Sequence, residues 1–121
     1  MANETILVVE DSPTEMGLLV ESLRQRGYRV VTAADGEEAL AKVASERPRL
    51  ILLDVILPKK NGSQVCRLLK SAPATRDVKI VFVTAKTQDS DRFWGYQQGA
   101  DAYLTKPFAD EELLASVARL L

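Results

Sequence analysis

Histidine is absent from this chain of 121 residues. That excludes Ser-His-Asp and Cys-His nucleophilic sites, histidine-ligated zinc, and a histidine phosphoacceptor on the chain itself. Any chemistry must fall to carboxylates, hydroxyls, lysine or arginine. The single cysteine, Cys66, rules out an intrachain disulfide and fits a reducing cytoplasm. It lies among apolar residues at helical spacing, which reads as a small packed side chain rather than a reactive thiol. No apolar run approaches the roughly 20 residues needed to span a bilayer. The opening MANETILVVE has no basic segment followed by an apolar one, so no signal peptide is expected. Charge of either sign is not in excess: 16 Lys and Arg against 17 Asp and Glu give a net charge of -1, so neither nucleic acid nor membrane is an expected partner. No linker-like or low-complexity tract interrupts the chain. One domain over residues 1–121, with no output domain, is the expectation.

What is present is an alternation of two kinds of segment. TILVV (5–9), YRVVTA (28–33), LILLD (50–54), KIVFVT (79–84) and AYLT (102–105) are short and mostly β-branched or aromatic. Several are apolar at consecutive positions, as in strands covered on both faces. Between them the apolar spacing is helical: Met16, Leu19, Val20 and Leu23; Leu40, Val43 and Ala44; Val65, Leu68, Leu69 and Ala72; Leu113, Leu114, Val117 and Leu121. SPTE at 12–15 predicts a capping box, with Ser12 as cap, Pro13 in the first turn and Glu15 reaching back. Asp35 predicts a second cap. Gly27 and Gly99 fall where helices should end at positive φ. Strand and helix alternating five times predict an α/β fold with one parallel sheet and helices on both faces.

In an open parallel sheet the working site lies beyond the carboxyl ends of the strands. Glu10 and Asp11 follow the first strand, Asp54 closes the third, Thr84 ends the fourth and Lys106 follows the fifth. The second ends in Ala33-Ala34 and contributes nothing. Three neighbouring carboxylates raise one another's pKa unless a cation joins them. Hard oxygens without histidine or cysteine suit magnesium. With a lysine and a hydroxyl beside the metal, the set is a receptor for a phosphoryl group, where positioning and charge stabilisation do most of the catalysis. An acid at a strand end is often only a helix cap, and a threonine there is usually structural. The weight lies in the joint placement.

These residues make the chain resemble the receiver domains of two-component response regulators, the CheY-like family, over essentially its whole length. The matching residues are Glu10-Asp11, Asp54 with Pro58 and Gly62 in D-x-x-x-P-x-x-x-G, Thr84-Ala85 and Lys106-Pro107. The resemblance implies a flavodoxin-like, doubly wound sheet of five parallel strands with five helices. It implies that Asp54 is the phosphoacceptor, attacking a phosphohistidine on a partner histidine kinase. Mg2+ would be held by Asp11, by Glu10 through water, by Asp54 and by the carbonyl of Ile56. Thr84 and Lys106 would each bond a phosphoryl oxygen, Lys106-Pro107 would be a cis peptide, and Thr84 and Tyr103 would form the switch. The chain would then be no enzyme beyond its own phosphorylation and dephosphorylation. Its surface around the fourth helix, fifth strand and fifth helix would bind a downstream protein, with Phe93 and Trp94 as candidate contacts.

Within the family, EDSPTEM at 10–16 and DRFWGYQQGADAYLTKPF at 91–108 look most like single-domain regulators of twitching or phototactic motility, which take phosphate from a CheA-type kinase. Three other readings are weaker. A magnesium-dependent phosphohydrolase would carry a second acid two residues after the nucleophile, where Ile56 stands. A phosphate-independent binding module would not need the intact set of Asp11, Asp54, Thr84 and Lys106. A flavodoxin-like cofactor carrier would need a phosphate-cradling loop after the first strand, where this chain has acids. Two departures from the family pattern are Glu10, where aspartate is commoner, and Ala109, where a capping side chain is usual before the fifth helix. Ile56 and Lys86 flank the family's route for hydrolytic water. An apolar Ile56 offers that water no hydrogen bond, so a phosphoryl group on Asp54 should outlive one in fast-cycling flagellar regulators. A hydrolysis half-life of seconds in purified protein would contradict this.

Overall fold

The computed structural model describes residues 4–86 and 88–121. Its strands are β1 (Thr5–Val9), β2 (Arg29–Ala33), β3 (Leu50–Leu53), β4 (Lys79–Thr84) and β5 (Ala102–Thr105). The helices are α1 (Pro13–Arg24), α2 (Gly36–Glu46), α3 (Gly62–Ser71), α4 (Asp89–Gln97) and α5 (Asp110–Leu120). All strand pairings are parallel, in the order β2-β1-β3-β4-β5. This is the flavodoxin-like arrangement. The predicted strands match to within a residue or so, and Asp54 falls just past the end of β3.

Both faces of the sheet are covered, which explains the unbroken apolar runs. Ile6, Val8, Leu52, Val81 and Val83 pack with Leu19 and Leu23 of α1 and Leu113 and Val117 of α5. Leu7, Val9, Ile51, Leu53 and Phe82 face the other way, onto Ala39 and Val43 of α2 and Val65, Cys66 and Leu69 of α3. Two predicted helix faces are met in part. Ala39 is buried where Ala44 was expected, Cys66 packs inward as its setting predicts, and Ala44 and Leu68 are exposed. Burial pushes the Cys66 thiol up to about 11, so it stays protonated as a packed side chain. On α4 the residue that meets the sheet is Gly95, where an added Cβ would lie 2.9 Å from the Tyr103 ring. Phe93 and Trp94 are both exposed, as an edge-to-face pair with centroids 5.5 Å apart.

The caps follow the sequence with one exception. Asp35 accepts from Glu38 N–H at 2.8 Å, and Gly27 and Gly99 have φ of 88° and 108°. Asn61 and Gln64 form a full capping box at the start of α3. At α5, Ala109 supplies no cap, and Glu112 turns back to accept from its N–H at 3.3 Å. The exception is α1. Ser12 Oγ accepts from Glu15 N–H at 3.3 Å, but Glu15 does not reach back. Ser12 N–H goes to Glu10 Oε2 at 3.1 Å, and the Glu15 carboxylate is drawn to Lys106.

The connection from β3 to α3, which carries Asp54, is held by two backbone contacts with no room for a side chain. A Cβ on Gly62 would sit 2.1 Å from the Asp54 carbonyl oxygen, and one on Gly36 would sit 2.0 Å from that of Lys60. Both obstacles are backbone. Gly62→Ala should therefore cost about 3 kcal/mol or more in urea denaturation. Gly17, exposed in α1 with nothing within 4 Å of its would-be Cβ, should show the opposite sign, with Gly17→Ala gaining about 1 kcal/mol.

Candidate functional site

The order β2-β1-β3-β4-β5 makes β1 and β3 neighbours although they are joined through β2. The crevice at that reversal is where their carboxyl ends deliver Glu10 and Asp54. Lys106, one residue past β5, reaches across the end of β4 to both. Its Nζ donates to Glu10 Oε1 at 2.8 Å and to Asp54 Oδ2 at 3.0 Å, and it pairs with Glu15 from the first turn of α1. The Lys106-Pro107 peptide is cis, as the family resemblance implies.

Asp54 is not the exposed carboxylate that a strand end suggests. It is 8 % exposed, because Lys106 lies on one oxygen while Ile56 N–H donates to the other at 3.1 Å. Both oxygens of the candidate nucleophile are thus fixed in place. Glu10 is also buried, and burial holds its carboxyl above the usual 4.5 despite the opposing hydrogen bond from Lys106. The same carboxylates hold the Lys106 ammonium above its ordinary range against the pull of its own burial.

The other expected site residues fall into place less evenly. Thr84 is fully buried at the end of β4, its Oγ1 accepting from Lys86 N–H at 3.4 Å. Tyr103 lies inward with its hydroxyl donating to Lys86 O at 3.0 Å, and Arg92 of α4 stands 5.3 Å over its ring. Burial raises the Tyr103 pKa. Ala85, next to Thr84, is exposed, and so is the Ile56 side chain at the opening of the site. Asp11 is exposed as well. Among the described residues no three carboxylates come together in a metal-ligating group. Glu10 and Asp54 instead converge on one ammonium. Their chemistry nonetheless suits a hard divalent cation, since a buried carboxyl with a raised pKa beside a second carboxylate is short of positive charge. Glu15 is the participant that strand-end reasoning missed. Its signal lay in the sequence, as an acid one turn into the helix that follows the acidic pair, but it was assigned to the cap.

The response regulator receiver domain family matches residues 6–118. The chain belongs to that family. Among curated relatives, this receiver is 40 % identical to the protein PilH of Pseudomonas aeruginosa over 96 % of each chain. It is 44 % identical to the alkaline phosphatase synthesis transcriptional regulatory protein PhoP of Bacillus subtilis, over 98 % of this chain and 49 % of PhoP. The receiver spans about half the length of PhoP and of several other curated relatives. Among solved structures, the chemotaxis protein CheY4 of Vibrio cholerae superposes with a TM-score of 0.91 at 33 % identity, covering 98 % of this chain and 99 % of that one. The receiver domain of the sensor histidine kinase PA1611 of Pseudomonas aeruginosa, described with magnesium coordinated in its active-site cleft, gives 0.90 at 35 % identity, over 98 % and 97 % of the two chains. The chain is therefore a CheY-like receiver of two-component signalling, a class of signalling module that works with histidine kinases and is known with divalent metal in its cleft. No helix among its described residues is long and apolar enough to cross a membrane.

Because the folded-state pKa of Glu10 lies above its unfolded value, the folded chain binds that proton more readily. The cost of burying this carboxylate is then absent below pH 4.5 and fully present above the folded pKa. Lys106→Met removes the cation that limits the cost. In metal-free buffer near pH 8 the variant should lose about 3 kcal/mol in chemical denaturation, and the deficit should narrow towards pH 5 as Glu10 takes up a proton. A deficit independent of pH would show that Lys106 stabilises the fold by packing alone.

Proposed function

We propose that this receiver accepts a phosphoryl group on Asp54 from the phosphohistidine of a partner kinase. The observation that carries this reading is the fixed Asp54 carboxylate, with one oxygen on Lys106 and the other on Ile56 N–H, set in the crevice where the sheet order reverses. In the transfer a carboxylate oxygen forms the new bond to phosphorus. The bond from phosphorus to the imidazole nitrogen breaks, and the imidazole keeps the electron pair. Lys106, already on Asp54, and the Thr84 hydroxyl would donate to phosphoryl oxygens. Glu10, Asp11, Asp54 and the Ile56 carbonyl would hold Mg2+, which supplies positive charge to offset the crowded carboxylates and the phosphoryl oxygens.

The output follows from how Thr84 is tied. Lys86 bonds the Thr84 hydroxyl through its N–H and the Tyr103 hydroxyl through its carbonyl. A Thr84 hydroxyl drawn to a phosphoryl oxygen would release the Lys86 N–H, leaving Lys86 freer to move together with the carbonyl that holds Tyr103 next to α4. The exposed Phe93-Trp94 pair on α4 is then a contact for a downstream protein, on a surface whose populations the phosphoryl group shifts. The likeness to PilH over almost the whole of both chains, together with residues 10–16 and 91–108, supports a role in surface motility fed by a CheA-type kinase.

Intact mass after incubation with acetyl phosphate tests the central step. A magnesium-dependent gain of one phosphoryl group, absent in Asp54→Asn, is expected. No gain, with beryllofluoride also failing to bind, would leave a phosphate-independent binding module as the account.

A further inference from the structure

An ammonium has three protons to donate, and Lys106 directs them at three carboxylates. Two belong to the strand-end cluster. The third, Glu15, comes from α1 and has no part in the phosphotransfer scheme. For Lys106 to bond a phosphoryl oxygen, one of these partners must give way. The Glu10 side chain is 3 % exposed, that of Asp54 10 % and that of Glu15 46 %. A carboxylate leaving an ammonium needs water or another donor in exchange, so the half-exposed one leaves at least cost. Glu10 Oε2 is also held by Ser12 N–H, and Asp54 Oδ1 by Ile56 N–H. Glu15 and Lys106 both line an open groove of about 680 Å3 between α1 and α5, which gives a released Glu15 carboxylate solvent to turn into.

We propose that Glu15 is the exchangeable partner of Lys106, holding the ammonium in the resting receiver and yielding its place to an oxygen of the incoming phosphoryl group. The proposal rests on the phosphoacceptor reading of Asp54. Glu15 acts through Lys106 and is a positioning residue. Its charge also opposes an anionic donor at the entrance to the site, so it sets the concentration of donor needed rather than the rate of the bond change.

Glu15→Gln keeps the shape and removes the charge. In magnesium buffer, the acetyl phosphate concentration for half-maximal labelling of Asp54 should fall about fivefold while the maximal rate stays within about twofold. The difference should shrink in about 0.5 M salt. A second readout needs neither donor nor metal: the 15N-1H resonance of the Lys106 ammonium, assigned through Lys106→Arg, should move in Glu15→Gln. Unchanged half-saturation in a wild type that does label, or an unmoved ammonium resonance, would overturn the proposal. So would a fall in maximal rate that tracks lost thermal stability, which marks a merely structural role. A wild type that takes no phosphoryl group at all would instead sink the phosphoacceptor reading, and the proposal with it.

Discussion

The site depends on a single ammonium. Lys106 stands at the end of β5, yet its three partners come from β1, β3 and α1, so one side chain ties together elements from both ends of the chain. Two buried carboxylates side by side repel strongly in a medium less polar than water, and the ammonium between Glu10 and Asp54 offsets that repulsion without a proton on either. The backbone geometry is arranged around that need. Sheet order makes β1 and β3 adjacent, Ile56 N–H fixes the free oxygen of Asp54, and Gly36 and Gly62 let backbone press on the connection that carries it.

The same electrostatics explains why the site is both well built and unfinished. Lys106 supplies one positive charge against three carboxylates, and Glu10 keeps a raised pKa even with the ammonium beside it. A cluster short of positive charge favours whatever brings more, which suits a divalent cation. Asp11, exposed and outside the Lys106 cluster, is the carboxylate free to respond to one. Breaking a buried ion pair is costly when a charge is left alone, and cheap when one partner is exchanged for another. The arrangement therefore resists unfolding while tolerating exchange of partners.

Much of this was legible in the sequence, for identifiable reasons. Strands covered on both faces are apolar at every position, so β1, β3 and β4 declared themselves, and the rule that sites lie at strand ends singled out Glu10, Asp54 and Lys106, which the fold brings into contact. What was not legible depends on distances between elements. SPTE reads as a capping box because local spacing is all that a sequence displays; only the fold brings Lys106 near enough to take Glu15 from the cap. Nothing local to Asp54 shows that a lysine 52 residues away lies on its carboxylate. The faces of α2 and α3 were misjudged in part, since apolar spacing alone does not choose between Ala39 and Ala44 for the sheet side of α2 and it counted Leu68, which is exposed, on the inner face of α3.

A run of polar contacts joins the end of β4 to α4. Thr84, Lys86 and Tyr103 form a chain in which the N–H and the carbonyl of Lys86, on the two peptide units either side of its Cα, each bond one hydroxyl, and Arg92 closes it from α4, standing over the Tyr103 ring and donating towards Tyr103 O and Thr105 Oγ1. The bonds at the two ends are long, 3.4 Å at Thr84 and 3.4–3.5 Å at Arg92, whereas the central one from Tyr103 is 3.0 Å. Long bonds are the weaker ones and yield first. A pull on the Thr84 hydroxyl would therefore break its own bond to Lys86 N–H before disturbing the bond from Tyr103. Gly95 lets α4 lie directly on Tyr103 and Phe82, and close packing of that kind makes a small displacement of the ring felt by the helix.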